Sequence, residues 1–483
     1  AHGSTSWEGR GTAHRCRVQY TCGAAWGHGG LGRRMERAVA TTGRAWGWLR
    51  PPATAAGRGF VLIATATVAT GAAMAAQQNI VANYFERELG LGGPQFGYIT
   101  AIREIPGFLL IGLTALFYRL SLPRLTAGAL LLLAAGYGGF GLSDSFWTVA
   151  PWVILSSIGY HTWLQTQYAL GLTLTTEQQS GSVLGRLAAY NNGGALAAMF
   201  AVFLIFRFDL LSYRQTFALC GALAFIAAAA IVRFPNLHDG EVRADPTLRQ
   251  PLVFRREYRY YYLLSLLDGG RQQIFFSFGL WVLVHRFGLG VPTISVVLLA
   301  VTALAMGASP WIGRMIDRHG ERRVLAAVNV GYVAALAGYA LANNVAVAII
   351  CYVIYSFIFP LSAMGAATYL RKIAPDAEVA PSLAMGVTMQ HAAAIVVPIA
   401  TGIVLNYVGY QVPFLIAAGF ASLTFLVTRR LAPEEQRSPR RLAEDDGGRR
   451  AEGGERDEDA RREKARTSVG AGAEPGRSTA GRG

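Results

Sequence analysis

The sequence predicts an all-α integral membrane protein of twelve transmembrane helices, arranged as two six-helix halves related by an internal repeat. Three observations carry that prediction: the composition, the spacing of the apolar runs, and the side on which the basic loops fall. Of 483 residues 52% are hydrophobic and only 15% charged, with a mean hydropathy of +0.32, whereas soluble globular domains carry about 25% charged residues. A soluble chain of this length would divide into about three domains of ~150 residues; here the charges gather in the tails and in short gaps between apolar runs. Disulfide scaffolds, solenoids and coiled coils are excluded for want of cysteines, of repeats of the right period and of charged heptads.

About 20 apolar residues cross a hydrocarbon core, and that ruler yields twelve runs. They are 59–83, 95–118, 123–142, 146–172, 181–206, 213–233, 259–284, 291–315, 323–342, 345–370, 380–407 and 410–430. Each break between them holds a turn or a charge cluster. Cytoplasmic loops carry the excess of Lys and Arg, and alternate breaks are plainly basic. Arg119 and Arg124 follow the second run, Arg233, Arg243, Arg249, Arg255, Arg256 and Arg259 flank the centre, Arg314, Arg318, Arg322 and Arg323 follow the eighth, and Arg371 and Lys372 the tenth. The opposite set holds little beyond Arg87, Arg207, Arg214 and Arg286, offset in part by Glu86, Glu88, Asp144 and Asp209. An even number of spans with this bias places both termini in the cytoplasm of a multi-pass protein of the cell inner (plasma) membrane, with the lipid bilayer as its surroundings.

The formal charge of +15 invites a nucleic-acid reading, but its distribution over tails and loops excludes one. Residues 1–58 form an Arg/Gly-rich cytoplasmic segment without a sustained apolar run, expected to be disordered and unlike a signal peptide. Met35 is the first methionine, and residues 1–34 are expected to be upstream sequence or a misassigned start. Cys16 and Cys22, with His14 and His28 nearby, fit no common zinc spacing, so no metal is expected. Residues 59–233 are expected to form the first half, 234–258 a cytoplasmic linker, 259–430 the second half, and 431–483 a charged tail too poor in apolar groups to fold.

The halves align weakly at an offset of about 198 residues. Leu89-Gly90-Leu91-Gly92 matches Phe287-Gly288-Leu289-Gly290, Tyr118-Arg119 with Arg124 matches Asp317-Arg318 with Arg323, Gly181-Ser182-Val183-Leu184 falls opposite Ala380-Pro381-Ser382-Leu383, and Tyr213 with Phe217 falls opposite Tyr410 with Phe414. Two halves related by a parallel repeat describe a known transporter architecture.

Over residues 59–430 the sequence resembles the major facilitator superfamily. The most specific stretch runs from Gly313 through Asp317, Arg318, Gly320, Arg322 and Arg323, which is similar to the family's cytoplasmic loop signature between spans eight and nine. The resemblance implies a secondary transporter whose loop takes part in gating, with Asp317, Arg318 and Arg322 as its working residues. It also implies a central cavity lined mainly by spans one, four, seven and ten. In the first half Tyr118 stands where the family usually has an acid, so a matching latch there would need other chemistry.

Charged groups at membrane depth are costly and are functional candidates by default. Arg103 and Glu104 lie well inside span two, and Asp268 and Arg271 inside span seven. Asp268 and Arg271 are three apart on one helix face and are expected to pair, whereas Arg103 and Glu104 are adjacent and are expected to seek partners elsewhere. Either acid is a candidate to carry a proton; the alternative is a permanent ionic lock. Neutral polar candidates for the substrate cavity are Gln77, Gln78, His161, Gln165, Asn191, Asn192, Gln272, Gln273, Gln390 and His391, with Tyr355 as part of an aromatic wall. Asn79 and Gln167 belong to the same ring. Amides suit sugars, peptides, nucleobases or zwitterions; the bland alternative is glue between helices.

No phosphate-binding loop, nucleophile elbow or zinc-protease helix is present, so neither an enzyme nor a cofactor is expected. The reading is a secondary transporter for a small polar or amphipathic solute, working by alternating access, coupled to H+ and acting as a monomer. The alternatives are a drug or metabolite efflux pump, disfavoured by Asn191-Asn192-Gly193-Gly194-Ala195 lacking the proline usual in that branch, and a sensor or scaffold on the same fold.

Overall fold

The computed structural model describes residues 54–109, 120–175, 179–235, 254–433 and 435–442. Met35, the Cys16/Cys22 pair, Tyr118, Arg119, most of the linker and the tail beyond residue 442 lie outside the described residues.

Among the described residues twelve long helices follow in order. The first six are α1 (Ala55–Asn83), α2 (Gly93–Phe108), α3 (Leu122–Phe140), α4 (Phe146–Leu172), α5 (Ser180–Arg207) and α6 (Tyr213–Val232). The second six are α7 (Arg259–His285), α8 (Val291–His319), α9 (Glu321–Ala340), α10 (Val345–Ile373), α11 (Asp376–Val408) and α12 (Gln411–Arg429). Each coincides with one apolar run of the sequence.

Local chemistry explains where they start. Thr54 accepts from the Gly57 amide at 3.1 Å, and Ser212 and Gln215 cap each other's amides at the start of α6, with Ser212 N donating to Gln215 Oε1 at 2.9 Å; these satisfy donors that a first turn leaves unpaired. Pro94, Pro123 and Pro292 occupy first turns of α2, α3 and α8, where a missing N–H costs nothing. The chain leaves α1 through a π-turn, Tyr84–Glu88, and turns at Gly90 with φ 63°; the matching turn after α7 uses Gly288 with φ 67°. A left-handed backbone at both places favours glycine.

Eight of the helices are long and apolar enough to cross a membrane by length and composition: α1, α5, α6 and α8 to α12. The other four include α4, with Ser156, Ser157, Tyr160, His161, Gln165 and Gln167, and α7, with Asp268, Arg271, Gln272, Gln273 and Ser277. Polar loading lowers the hydropathy of those two. Large apolar side chains on outer faces, such as Phe200, Phe225, Ile350 and Leu426, stand more than half exposed, as suits a surface solvated by lipid tails.

The packing repeats. α1 packs on α5 and α6, α3 on α4 and α6, and α2 on α4; six helices later α7 packs on α11 and α12, α9 on α10 and α12, and α8 on α10. The two sets meet chiefly where α2 lies on α11 and α5 on α8. The α2–α11 contact is backbone against backbone. A Cβ on Gly97 would strike the carbonyl oxygen of Pro398, and one on Gly402 would stand 2.5 Å from that of Gly93. Small residues of this kind let membrane helices approach closely.

Residues 435–442 lie against the foot of α10 and α11. Ser438 N donates to Ile373 O at 2.9 Å, and Glu378 accepts from Tyr258 Oη at 2.8 Å and Arg255 Nη2 at 3.0 Å and also pairs with Arg440.

Candidate functional site: a polar cavity between the helix sets

A cavity of about 860 Å³ lies between the two sets, with lining residues from both. Helical periodicity explains which side chains reach it. On α7 the lining residues are Gly269, Gln272, Gln273, Phe276, Ser277 and Leu280, one stripe at spacings of three and four. Gln77 and Gln78 of α1 belong to an equivalent stripe from Gly71 to Phe85.

Most of the amide and histidine candidates converge. Gln77, Gln78, His161, Asn191, Asn192, Gln272, Gln273, Gln390 and His391 all line the cavity. Gln165 does not: it is exposed on the far side of α4. Tyr355 is fully buried behind the wall rather than lining it. Asn79 is buried too, and its Oδ1 accepts from Ser295 Oγ at 3.0 Å, tying α1 to α8.

The two charged pairs part company. Arg103 and Glu104 line the cavity, whereas Asp268 and Arg271 do not. Contrary to the expectation that neighbours diverge, Arg103 folds back on Glu104, its Nε at 3.1 Å and Nη2 at 2.9 Å from Oε1. The other carboxylate oxygen stands 3.3 Å from Nδ1 of His391 on α11. The His391 ring lies edge-on to His161 with centroids 5.2 Å apart, and His161 Nε2 is buried without a hydrogen-bond partner. Ser157 donates to the Arg103 carbonyl, fixing α2 to α4 at this depth. Glu104 of the first helix set is thus shared between its own neighbour and a histidine of the second.

Asp268 and Arg271 pair as their spacing predicts, at 3.0 Å. The pair is closed off by its own helix set. Arg271 Nη1 donates to Tyr355 Oη at 2.8 Å, Ser362 Oγ donates to Asp268 Oδ2 at 2.7 Å, and the guanidinium carbon lies 3.5 Å from the Tyr332 ring centroid. One position around the helix separates Arg271 from Gln272, and about 100° of rotation per residue turns one into the wall and the other into the cavity.

At the signature loop α8 continues to His319 and α9 begins at Glu321, so Gly320 alone joins them. Arg318, Arg322 and Arg323 are exposed there. Gly313 and Asp317 fall in the last turns of α8, and the Asp317 side chain lies outside the described residues. Sequence reasoning missed Glu321, buried beside the signature and accepting from Lys372 Nζ at 2.7 Å. It also missed Ser157, Tyr160 and Phe276 in the cavity wall. For Glu321 the signal was present, as an acid among arginines; for the others nothing in spacing marks them.

A helical bundle around a polar cavity shared by two helix sets is an arrangement that solved membrane transporters also have. Residues 261–469 match the sequence model of the Major Facilitator Superfamily. Solved structures share the fold. The nucleoside transporter NupG is 15% identical with a TM-score of 0.64, over 77% of this chain and 98% of that one. A bacterial homologue of the human lysosomal transporter Spinster, inward-facing and occupied, is 12% identical with a TM-score of 0.63, over 79% and 98%. A D-xylose-proton symporter is 14% identical with a TM-score of 0.61, over 78% and 97%. No curated protein matches the sequence significantly.

Proposed function

We propose that the protein is a proton-coupled secondary active transporter that moves a small polar or amphipathic solute across the cytoplasmic membrane by alternating access. In this reading all twelve helices cross the membrane, residues 59–233 and 259–430 act as two halves that rock about the cavity, and both termini are cytoplasmic. The packing pattern that recurs six helices on and the basic loops support this arrangement.

The observation that carries the coupling is the contact of Glu104 with His391 at 3.3 Å. The contact ties α2 to α11 across the cavity. Protonation of Glu104, one of the two acids offered as proton carriers, removes its charge, weakens the tie and lets the halves separate. A proton acquired on one side and lost on the other then accompanies each reorientation. The cavity's amides bind the solute by donating and accepting in turn, while Phe276 and Tyr160 cover its apolar faces; Arg103 and Glu104 together bring no net charge.

The test is proton flux in proteoliposomes loaded with a pH-sensitive dye. Nucleosides and pentoses head the solute pools, because the neighbours include a nucleoside transporter and a D-xylose-proton symporter, followed by amino acids, organic acids and cationic drugs. A solute-dependent pH change in the wild-type protein that Glu104→Gln reduces about 100-fold is the expected result. Solute uptake with no accompanying proton movement would overturn the coupling, and no uptake from any pool by folded protein would overturn transport.

A further inference from the structure

We propose that Glu86, Arg87 and His285 form a latch that holds the two helix sets together at the end of the bundle remote from the basic loops, and that its release opens the cavity to that side. The inference rests on the transporter reading above.

The π-turn that ends α1 carries Glu86 and Arg87 to the C-terminal end of α7. Glu86 Oε1 lies 2.5 Å from Nδ1 of His285, the last residue of α7. Arg87 Nη2 donates to the carbonyls of Gly288 at 2.9 Å and Leu289 at 3.2 Å. These two ties are complementary. Gly288 and Leu289 lie in the turn just beyond the last residue of α7, close to the negative end of its dipole, which favours a cation; Arg87 supplies one. His285 in turn stacks on Trp281, with centroids 4.4 Å apart and an interplanar angle of 10°, and Trp281 packs on Phe96 of α2 at 5.9 Å. The histidine is thereby held ready for Glu86 while remaining on the surface, its side chain 52% exposed against 21% for Glu86.

That exposure separates the latch from the Glu104 cluster deeper in the bundle. Exposed ion pairs are individually weak, so water can replace these contacts when the helix sets part. A lock that must open in every cycle needs strength of this order rather than that of a sealed pair. The π-turn carries both residues that reach the neighbouring helix set. π-turns inside helices commonly mark functional positions.

The latch predicts how fast the cavity is reached from its own side. Leu280 is buried and lines the cavity on α7. In a chain whose four cysteines are replaced by alanine, Leu280→Cys is exposed in right-side-out vesicles to a membrane-impermeant maleimide. Combining Glu86→Ala with Arg87→Ala should speed labelling about tenfold, the equivalent of ~1.4 kcal/mol, and His285→Ala should give a smaller increase in the same direction. The exchanged pair Glu86→His with His285→Glu should restore slow labelling, which a mere loss of folding would not do. Equal labelling rates in all four proteins would overturn the latch. Labelling requires no solute: latch-dependent rates in a protein that moves no solute would support the latch and overturn only the transporter reading, and unchanged rates in a protein that transports would overturn the latch alone.

Discussion

Arg103–Glu104 on α2 and Asp268–Arg271 on α7 are the same chemistry in different settings. Both pairs close at about 3 Å, 2.9 Å and 3.0 Å respectively. Asp268 and Arg271 find every remaining partner, Tyr355, Ser362 and the Tyr332 ring, on α9 and α10 of their own helix set. Glu104 finds its second partner, His391, on the opposite set and inside the cavity, and the Arg103 side chain is 43% exposed while that of Arg271 is 0%. A pair whose partners all move together holds one body rigid, whereas a pair whose partners belong to two bodies registers their relative position. Under the proposed function the second arrangement is the one suited to coupling, although the residue types are alike.

The sharpest way to break this contrast is to remove one charge from each pair. Arg271→Ala strands Asp268 in a sealed site and should lower stability by ~3–5 kcal/mol, measured as the shift of thermal unfolding in detergent or lipid; replacing both residues by apolar ones should recover most of that loss. Glu104→Gln should leave the unfolding temperature close to wild type and reduce proton-coupled flux by about 100-fold, ~2.7 kcal/mol at 1.36 kcal/mol per decade. An unfolding shift as large as that of Arg271→Ala would make Glu104 a structural group and collapse the comparison. His391→Gln keeps a hydrogen-bonding side chain but removes the imidazole that meets Glu104 from the opposite helix set, and it should lower flux roughly tenfold, measured in the same proteoliposomes. Tyr355→Phe deletes one hydrogen bond from the sealed pair and should cost ~1 kcal/mol of stability with little change in flux. Gln165→Ala, on the exposed face of α4, should change stability by no more than about 0.5 kcal/mol and leave solute affinity intact.

The helices were legible because apolar length is a direct consequence of the bilayer's thickness. Each of the twelve runs holds a long helix among the described residues, including α4 and α7, whose polar loading hides them from a strict hydropathy criterion. Cavity membership was legible for side chains in stripes, such as Gln272 and Gln273, because helical geometry sends neighbours three and four apart to one face. Rotation about the helix axis was not legible. Spacing alone left Asp268 and Gln272 equally plausible as cavity residues, and only the packing of α7 against α11 and α12 decides which faces inward. The folding of Arg103 onto Glu104 was missed for a related reason: adjacent residues leave a helix in different directions, yet a guanidinium on three methylenes is long enough to curl back. The proposed latch was not legible because Glu86 and Arg87 read as ordinary loop charges and nothing in the spacing marks His285 until the π-turn and the end of α7 are brought together.

The division of partners also bears on how the chain is made. Asp268, Arg271, Tyr332, Tyr355 and Ser362 all lie within 95 consecutive residues, counting from 268 to 362, so the second helix set emerges from the ribosome with its ionic core complete. Glu104 meets Arg103 at once but must wait for His391, 287 residues later by the difference of their numbers. At about 5–20 residues per second, that interval lasts roughly 15 to 60 s. During it the neighbouring arginine is the counter-ion that its own segment supplies.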